Sequence, residues 1–203
     1  MNTNPFTIKT ALTGLLLCLL SLSPAFAHSD AASLQGGFMS GFMHPISGLD
    51  HVIAMVAVGL WGAFLGKPAI WLLPVVFPLV MAFGGALGVA GVPIPYIETG
   101  IALSGVVLGL VVLFAVRPPI WVAAIIVGAF AIFHGHAHGT ELPNAASPLV
   151  YSIGFVIGTG LLHLAGIAIG ELKRLPWGDM VVRGGGAVIA LLGVGFLTHF
   201  ISP

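Results

Sequence analysis

Six apolar segments, each close to the length of a bilayer-spanning helix, occupy nearly all of the chain after residue 47. A helix needs about 20 apolar residues to cross the hydrocarbon core. Only helices or closed barrels satisfy every backbone polar group in lipid, and these segments lack the strict alternation of barrel strands. We therefore predict an all-α polytopic membrane protein with six transmembrane helices. The segments are residues 48–66, 69–90, 97–116, 119–138, 147–171 and 180–201.

The charge content supports the same conclusion. Only 6% of the residues are charged, whereas a soluble domain carries about 25%. Because so few charges cannot cover a surface exposed to water, the lipid bilayer is the expected partner of most of this surface. The formal net charge is zero, which argues against a nucleic-acid partner.

The N-terminus has the organisation of a signal peptide. Lys9 gives a weakly positive start, residues 11–22 are apolar, and "AFA" at 25–27 fits a small-residue cleavage site. The alternative is an uncleaved first transmembrane helix. Cleavage makes His28 the mature N-terminus, and it removes Cys18, the single cysteine, so that no disulfide framework is expected. The predicted parts are a signal peptide at 1–27 and a transmembrane domain at 28–203.

The basic residues predict the orientation. With a cleaved signal, the mature N-terminus lies in the periplasm of a bacterium, and alternate loops of the cytoplasmic (inner) membrane protein face the cytoplasm. Every lysine and arginine of the mature chain lies in or beside a loop that is then cytoplasmic, as the positive-inside rule requires. These residues are Lys67, Arg117, Lys173, Arg174 and Arg183.

Glycines recur three or four residues apart in three segments, 84–91, 154–160 and 184–195. Small residues at this spacing let helix backbones approach closely in lipid. We interpret these stripes as packing surfaces, with flexible gates as the alternative.

Ionisable residues gather at the outer end of the predicted bundle, where their cost in a membrane makes them functional candidates. The first helix begins in "HPISGLDH", in which Ser47 is a possible N-cap and Asp50 a possible helix-start carboxylate. The fourth helix ends in "FHGHAHGTE". The candidate metal ligands at this end are His44, Asp50, His51, Glu98, His134, His138 and Glu141, with hydrogen-bonded interfacial residues as the alternative for the histidines.

The other histidines are assigned less specific roles. His134 and His138 are four residues apart and share a helix face, whereas a regular helix turns His136 away. His163 lies deeper and is either a lower relay ligand or a packing residue. His28 and His199 are expected to be interfacial.

Imidazoles and carboxylates without thiolates suit Ni²⁺, Co²⁺, Zn²⁺ or Mn²⁺. Two rival functions use the same ligands: an intramembrane zinc metallohydrolase with Glu141 as general base, and a metal-sensing or assembly subunit. No prosthetic group is expected.

The two motifs resemble the signatures of the HupE/UreJ family of nickel/cobalt permeases, H-x5-D-H and FHG-x-[AV]-HG-x-E. The resemblance covers essentially the whole mature chain. It implies a secondary transporter, not an enzyme, that imports Ni²⁺ or Co²⁺ and is associated with nickel-enzyme maturation. It also implies that the motif residues are functional and that an acidic residue at Glu98 fits the family, while His136 falls in the variable position.

Overall fold

The computed structural model describes residues 32–141 and 148–201, and every regular element in these ranges is helical. The predicted signal peptide, including Cys18, and His28 lie outside the described residues, as does the side chain of His199. Seven α-helices are α1 (Ala32–Ser47), α2 (Leu49–Leu65), α3 (Ala69–Val89), α4 (Ile97–Leu113), α5 (Ile120–Thr140), α6 (Pro148–Gly170) and α7 (Gly178–Ile201), with a short 3₁₀ turn, Glu171–Arg174, after α6.

Four helical segments are long and apolar enough to cross a membrane: α3, α5, Leu149–Arg174 and Gly178–Thr198. The bent pair formed by Gly37–Ser47 and α2 counts as a fifth, with an angle of 79° between its two helices. At 17 residues, α4 is a shorter apolar helix. The described residues are therefore those of a multi-pass membrane protein with four or five candidate spans.

The helix α1 was not predicted, and it changes two expectations at the start of α2. His44 lies on α1, on the other side of the bend from Asp50. The prediction that Ser47 caps α2 is wrong, because Gly48 occupies the N-cap without a side-chain hydrogen bond. The Ser47 hydroxyl instead donates to the His44 carbonyl at 2.9 Å.

The helix α2 forms the centre of the bundle, since it packs against α3, α4, α6 and α7. All but one of the residues from Ile53 to Phe64 are buried. The other helices present large apolar side chains outward, including Leu79, Trp121 and Leu191. Outward apolar faces around a buried central helix are what a protein in lipid requires.

Glycines bring helices together in close pairs, among them α3–α5, α4–α7 and α2–α6, and the predicted stripe at 154–160 packs against α1. In the pair α3–α5, a Cβ on Gly135 would meet the Met81 carbonyl. In the pair α4–α7, Gly109 and Gly186 approach each other's backbone. In the pair α2–α6, a Cβ on Gly59 would meet a backbone carbonyl of α6. Side chains at these positions would push the helices apart.

Basic residues lie at the end of the bundle where α2 and α4 finish. Lys173 donates to the carbonyls of Ala63 and Phe64, and Arg183 donates to the Leu113 carbonyl at 2.8 Å. These contacts satisfy carbonyls at helix C-termini, where the helix dipole favours a cation. The histidine motifs lie at the opposite end of the bundle, where α2 begins and α5 ends.

Candidate metal-binding site

Four imidazole rings form a continuous row where α1, α2 and α5 meet. The ring centres are 4.7 Å apart for His44 and His138, 4.5 Å for His138 and His51, and 4.8 Å for His51 and His134. The glycines of "HGHAHG" explain how α5 supplies two of them. Gly135 lies against α3, so that the neighbouring His134 and its partner one turn later face α2.

The outer part of the row contains the ligand atoms of a possible metal site. His44, His138 and Glu141 each offer one ligand atom, and these atoms lie within 4.8 Å of one another. The His44 Nε2 and a Glu141 carboxylate oxygen are 3.6 Å apart. The Glu141 side chain is 59% exposed and that of His44 is 30% exposed, whereas His138 is buried. The three residues therefore lead from the surface into the protein.

Asp50 orients His51. The His51 Nδ1–H donates a hydrogen bond to the Asp50 carboxylate, and the two atoms are 2.9 Å apart. Its Nε2 then carries the free lone pair, and this atom is buried without a hydrogen-bond partner among the described residues. A carboxylate behind an imidazole fixes the tautomer and makes the other nitrogen a better metal ligand. In this arrangement Asp50 orients a candidate ligand and adds negative charge beside it.

Ser104 of α4 has the same effect on His134. Its hydroxyl has one proton, which it donates to the Ile101 carbonyl at 2.6 Å. It can therefore only accept a hydrogen bond from the His134 Nε2, which is 2.9 Å away. The proton of His134 is thus on Nε2, and its buried Nδ1, which has no partner among the described residues, is the free lone pair.

His138 lies between the outer ligands and these two oriented imidazoles. Both of its ring nitrogens are buried and have no hydrogen-bond partner in the described part of the chain. Its ring meets His44 on one side and His51 on another. The His138 ring is therefore next to both the outer ligand atoms and the inner imidazoles.

His136 and Glu98 lie outside the row of imidazoles. The helix α5 is regular through Thr140, and His136 leaves the shared face, as predicted, donating from Nε2 to the Val92 carbonyl at 2.7 Å. Glu98 lies in the first turn of α4 and is exposed. Its charge interacts with those of Asp50 and Glu141, which places it beside the mouth of the site.

The profile of the family described as "HupE / UreJ protein" matches residues 16–196. The chain belongs to the HupE/UreJ family. It is similar to Protein HupE of Rhizobium leguminosarum bv. viciae, with 44% identity over 190 residues, which are 94% of this chain and 96% of the relative. No solved structure matches it significantly.

In this HupE/UreJ chain, aromatic side chains enclose the row of imidazoles. Phe155 of α6 meets the His138 ring at 4.5 Å, and Tyr151, one turn earlier, meets the His44 ring at 5.9 Å. Phe77 of α3 lies 5.6 Å from the His134 ring. Apolar walls exclude water and so strengthen the attraction between a cation and the few polar groups that remain.

Sequence reasoning missed Ser104, Tyr151 and the aromatic walls of this HupE/UreJ site. A serine within an apolar helix is ordinary, and an aromatic residue there is normally a lipid or packing residue. One signal was available for Ser104, because it follows Glu98 by six residues in a helix with few polar side chains.

Proposed function

We propose that this chain is a secondary transporter that imports a divalent transition metal, Ni²⁺ or Co²⁺, across the cytoplasmic membrane of a bacterium. The observation that carries the proposal is the row of four imidazoles, which begins at exposed ligands and ends at the fully buried His134. A resident metal site needs no such gradient, whereas a transported ion has to leave water in steps. Membership of the HupE/UreJ family supports the same function.

The proposed topology has six spans, with α2 to α7 alternating in direction and the imidazole row at the periplasmic end. It is supported by the separation of charges along the bundle, because Lys173 and Arg183 bind carbonyls at the end opposite the histidines. Basic residues remain preferentially on the cytoplasmic side. The short α4 spans the bilayer centre together with its tight partner α7.

The first step of transport is capture at the mouth. Glu141 and Glu98 attract the dication, which exchanges water for His44, His138 and the Glu141 carboxylate. The free nitrogens of His51 and His134 receive it next, while Asp50 offsets part of its charge. The ligands are nitrogen and oxygen without thiolate, a set that suits Ni²⁺ and Co²⁺.

The driving force is the membrane potential. The sequence has no Walker A motif, so ATP hydrolysis by this chain is not part of the proposal. Moving a dication inward across 100 mV provides about 4.6 kcal/mol, at about 2.3 kcal/mol per charge. The delivered metal then becomes available to nickel-enzyme maturation proteins, the cytoplasmic partners that the resemblance implies.

The processing of the N-terminus is part of this topology. Cleavage after residue 27 leaves a periplasmic N-terminus, and N-terminal sequencing of membrane-purified protein should then begin at His28. A protein that retains Met1 would contradict the cleavage and require a different orientation argument.

The transport test is uptake of radioactive nickel into cells that produce the chain, with initial rates measured against metal concentration. His138→Ala should weaken uptake strongly because it removes the ligand shared by both parts of the row. His136→Ala is the matched control, since its ring nitrogen is bonded to a backbone carbonyl away from the row. Equal losses in both variants would contradict the assigned site.

Nickel uptake by cells and the zinc content of the purified protein distinguish the transporter from the alternative, an intramembrane zinc metallohydrolase. It predicts near-stoichiometric zinc in the purified protein and no nickel accumulation in cells. Neither the family match nor the geometry favours it, because Glu141, its proposed general base, is largely exposed at the mouth.

A further inference from the structure

Two polar side chains of α6, those of Thr159 and His163, are completely buried. Thr159 is 0% and His163 is 1% exposed. The Thr159 hydroxyl and both nitrogens of the His163 ring have no hydrogen-bond partner among the described residues. Leaving a buried polar group without a hydrogen bond is destabilising, and a helical threonine can normally bond to the carbonyl one turn earlier. Packing alone does not explain why these two buried positions carry polar and not apolar side chains.

Their position continues a face that begins at the outer site. Tyr151, Phe155, Thr159 and His163 follow one another at intervals of four residues and are all buried. The first two contact the rings of the imidazole row. Since a helix rises about 1.5 Å per residue, Thr159 lies about 6 Å and His163 about 12 Å beyond Phe155 along α6.

Phe77 connects the two regions from α3. Its ring is fully buried and lies 5.6 Å from the ring of His134 and 5.6 Å from that of His163. It therefore stands between the innermost imidazole of the row and the next imidazole along the bundle. An open groove between α3 and α6 also borders His163, but its other lining residues are apolar or glycine and several of them, including Trp71 and Leu161, are exposed, so it belongs to the outward apolar surface.

We propose that Thr159 and His163 form an inner station for the transported dication, separated from the outer site by the Phe77 ring. This inference rests on the proposed transport function. The station offers one imidazole nitrogen and one hydroxyl oxygen and no carboxylate, so it binds the ion more weakly than the outer site. Weak successive sites are what passage requires, because a tight inner site would trap the ion.

The test measures nickel uptake and cobalt binding separately, using His163→Leu and Thr159→Val. Each variant should lower the maximal uptake rate about tenfold or more, while the apparent KM and the affinity of the purified protein for Co²⁺ stay within about twofold of wild type. Thr159→Ser keeps the hydroxyl and should transport like wild type. Thr198→Val is the matched control, because that exposed hydroxyl bonds only to its own helix.

The unfolding temperature of each variant in detergent shows whether Thr159 and His163 serve transport or only the stability of the fold. Removing an unpaired polar group should leave stability unchanged or higher, so a lost uptake rate in a protein of normal stability supports the station. If His163→Leu does not accumulate in the membrane, Thr159→Val decides alone. Normal maximal rates in the variants, or a loss confined to KM, would overturn the inner station. Absence of uptake by the wild type would instead refute the transport function itself.

Discussion

Replacing Ser104 with alanine tests how the site prepares His134 for a metal. The Ser104 hydroxyl donates to the Ile101 carbonyl and accepts from His134. Alanine removes that acceptor, keeps α4 helical because alanine is the best helix former, and changes no charge. The substitution therefore removes one hydrogen bond from a ring that remains in place.

The expected loss of metal affinity depends on whether the missing hydrogen bond destabilises the metal-bound site more than the empty site. When a metal occupies the His134 Nδ1, the proton must be on Nε2, and without Ser104 this N–H is buried and unpaired. In the empty site the ring can rotate or move its proton, so the cost falls mainly on the bound state. An unpaired buried donor costs about 1–3 kcal/mol, and at about 1.4 kcal/mol per tenfold we expect metal binding about 5- to 140-fold weaker.

The assay is titration of purified protein with Co²⁺, followed by its visible absorption, together with the KM of nickel uptake in cells. Ser104→Ala should weaken binding and alter the absorption spectrum, since one imidazole coordinates differently. Ser152→Ala, on the exposed side of α6, is the matched control and should bind normally. An affinity within about twofold of wild type, with an unchanged spectrum, would refute the role of Ser104 in orienting His134.

Three further substitutions test other parts of the structure. Asp50→Asn keeps an acceptor for His51 but removes a charge, so nickel uptake should fall about tenfold or more at unchanged membrane abundance, and normal uptake would reject the need for that charge. Gly135→Ala should reduce the amount of folded protein, seen by size-exclusion chromatography in detergent, because its Cβ would meet a backbone carbonyl of α3, whereas Gly195→Ala, in open space, should not. Lys173→Met removes the cation at the C-terminus of α2 and should lower stability by about 1 kcal/mol, measured as a lower unfolding temperature, and an unchanged temperature would show that these contacts contribute nothing.

The helices after residue 48 could be predicted because hydrophobicity and length determine membrane helices almost alone. The apolar run 69–90 corresponds to Ala69–Val89, and the run 147–171 to Pro148–Gly170. The helix α1 was missed because "GGFMSGFMHPIS" contains glycines and a proline that normally favour turns. The position of α1 depends on contacts with residues distant in sequence, because Gly41 and Gly154 allow α1 and α6 to approach closely.

The candidate site was predictable where residue type alone carries the chemistry. Histidines and carboxylates in a membrane segment stand out, and the spacing of His134 and His138 gave their shared face correctly. The hydrogen bonds that select a tautomer were not predictable, since Ser104 reaches His134 from another helix. The wrong cap at Ser47 has a local cause, because Gly48 adopts the extended conformation of an N-cap at the bend.

The three glycine-packed helix pairs have a mechanical consequence. His134 and His138 belong to the pair α3–α5, Asp50 and His51 to α2–α6, and Glu98 to α4–α7. Within a pair the helix backbones are in contact, so the two helices have little room to slide past each other. The polar residues lie where one pair adjoins another. An ion bound by His51 and by the histidines of α5 would connect two separately packed helix pairs, α2–α6 and α3–α5, and its release would leave the packing within each pair unchanged.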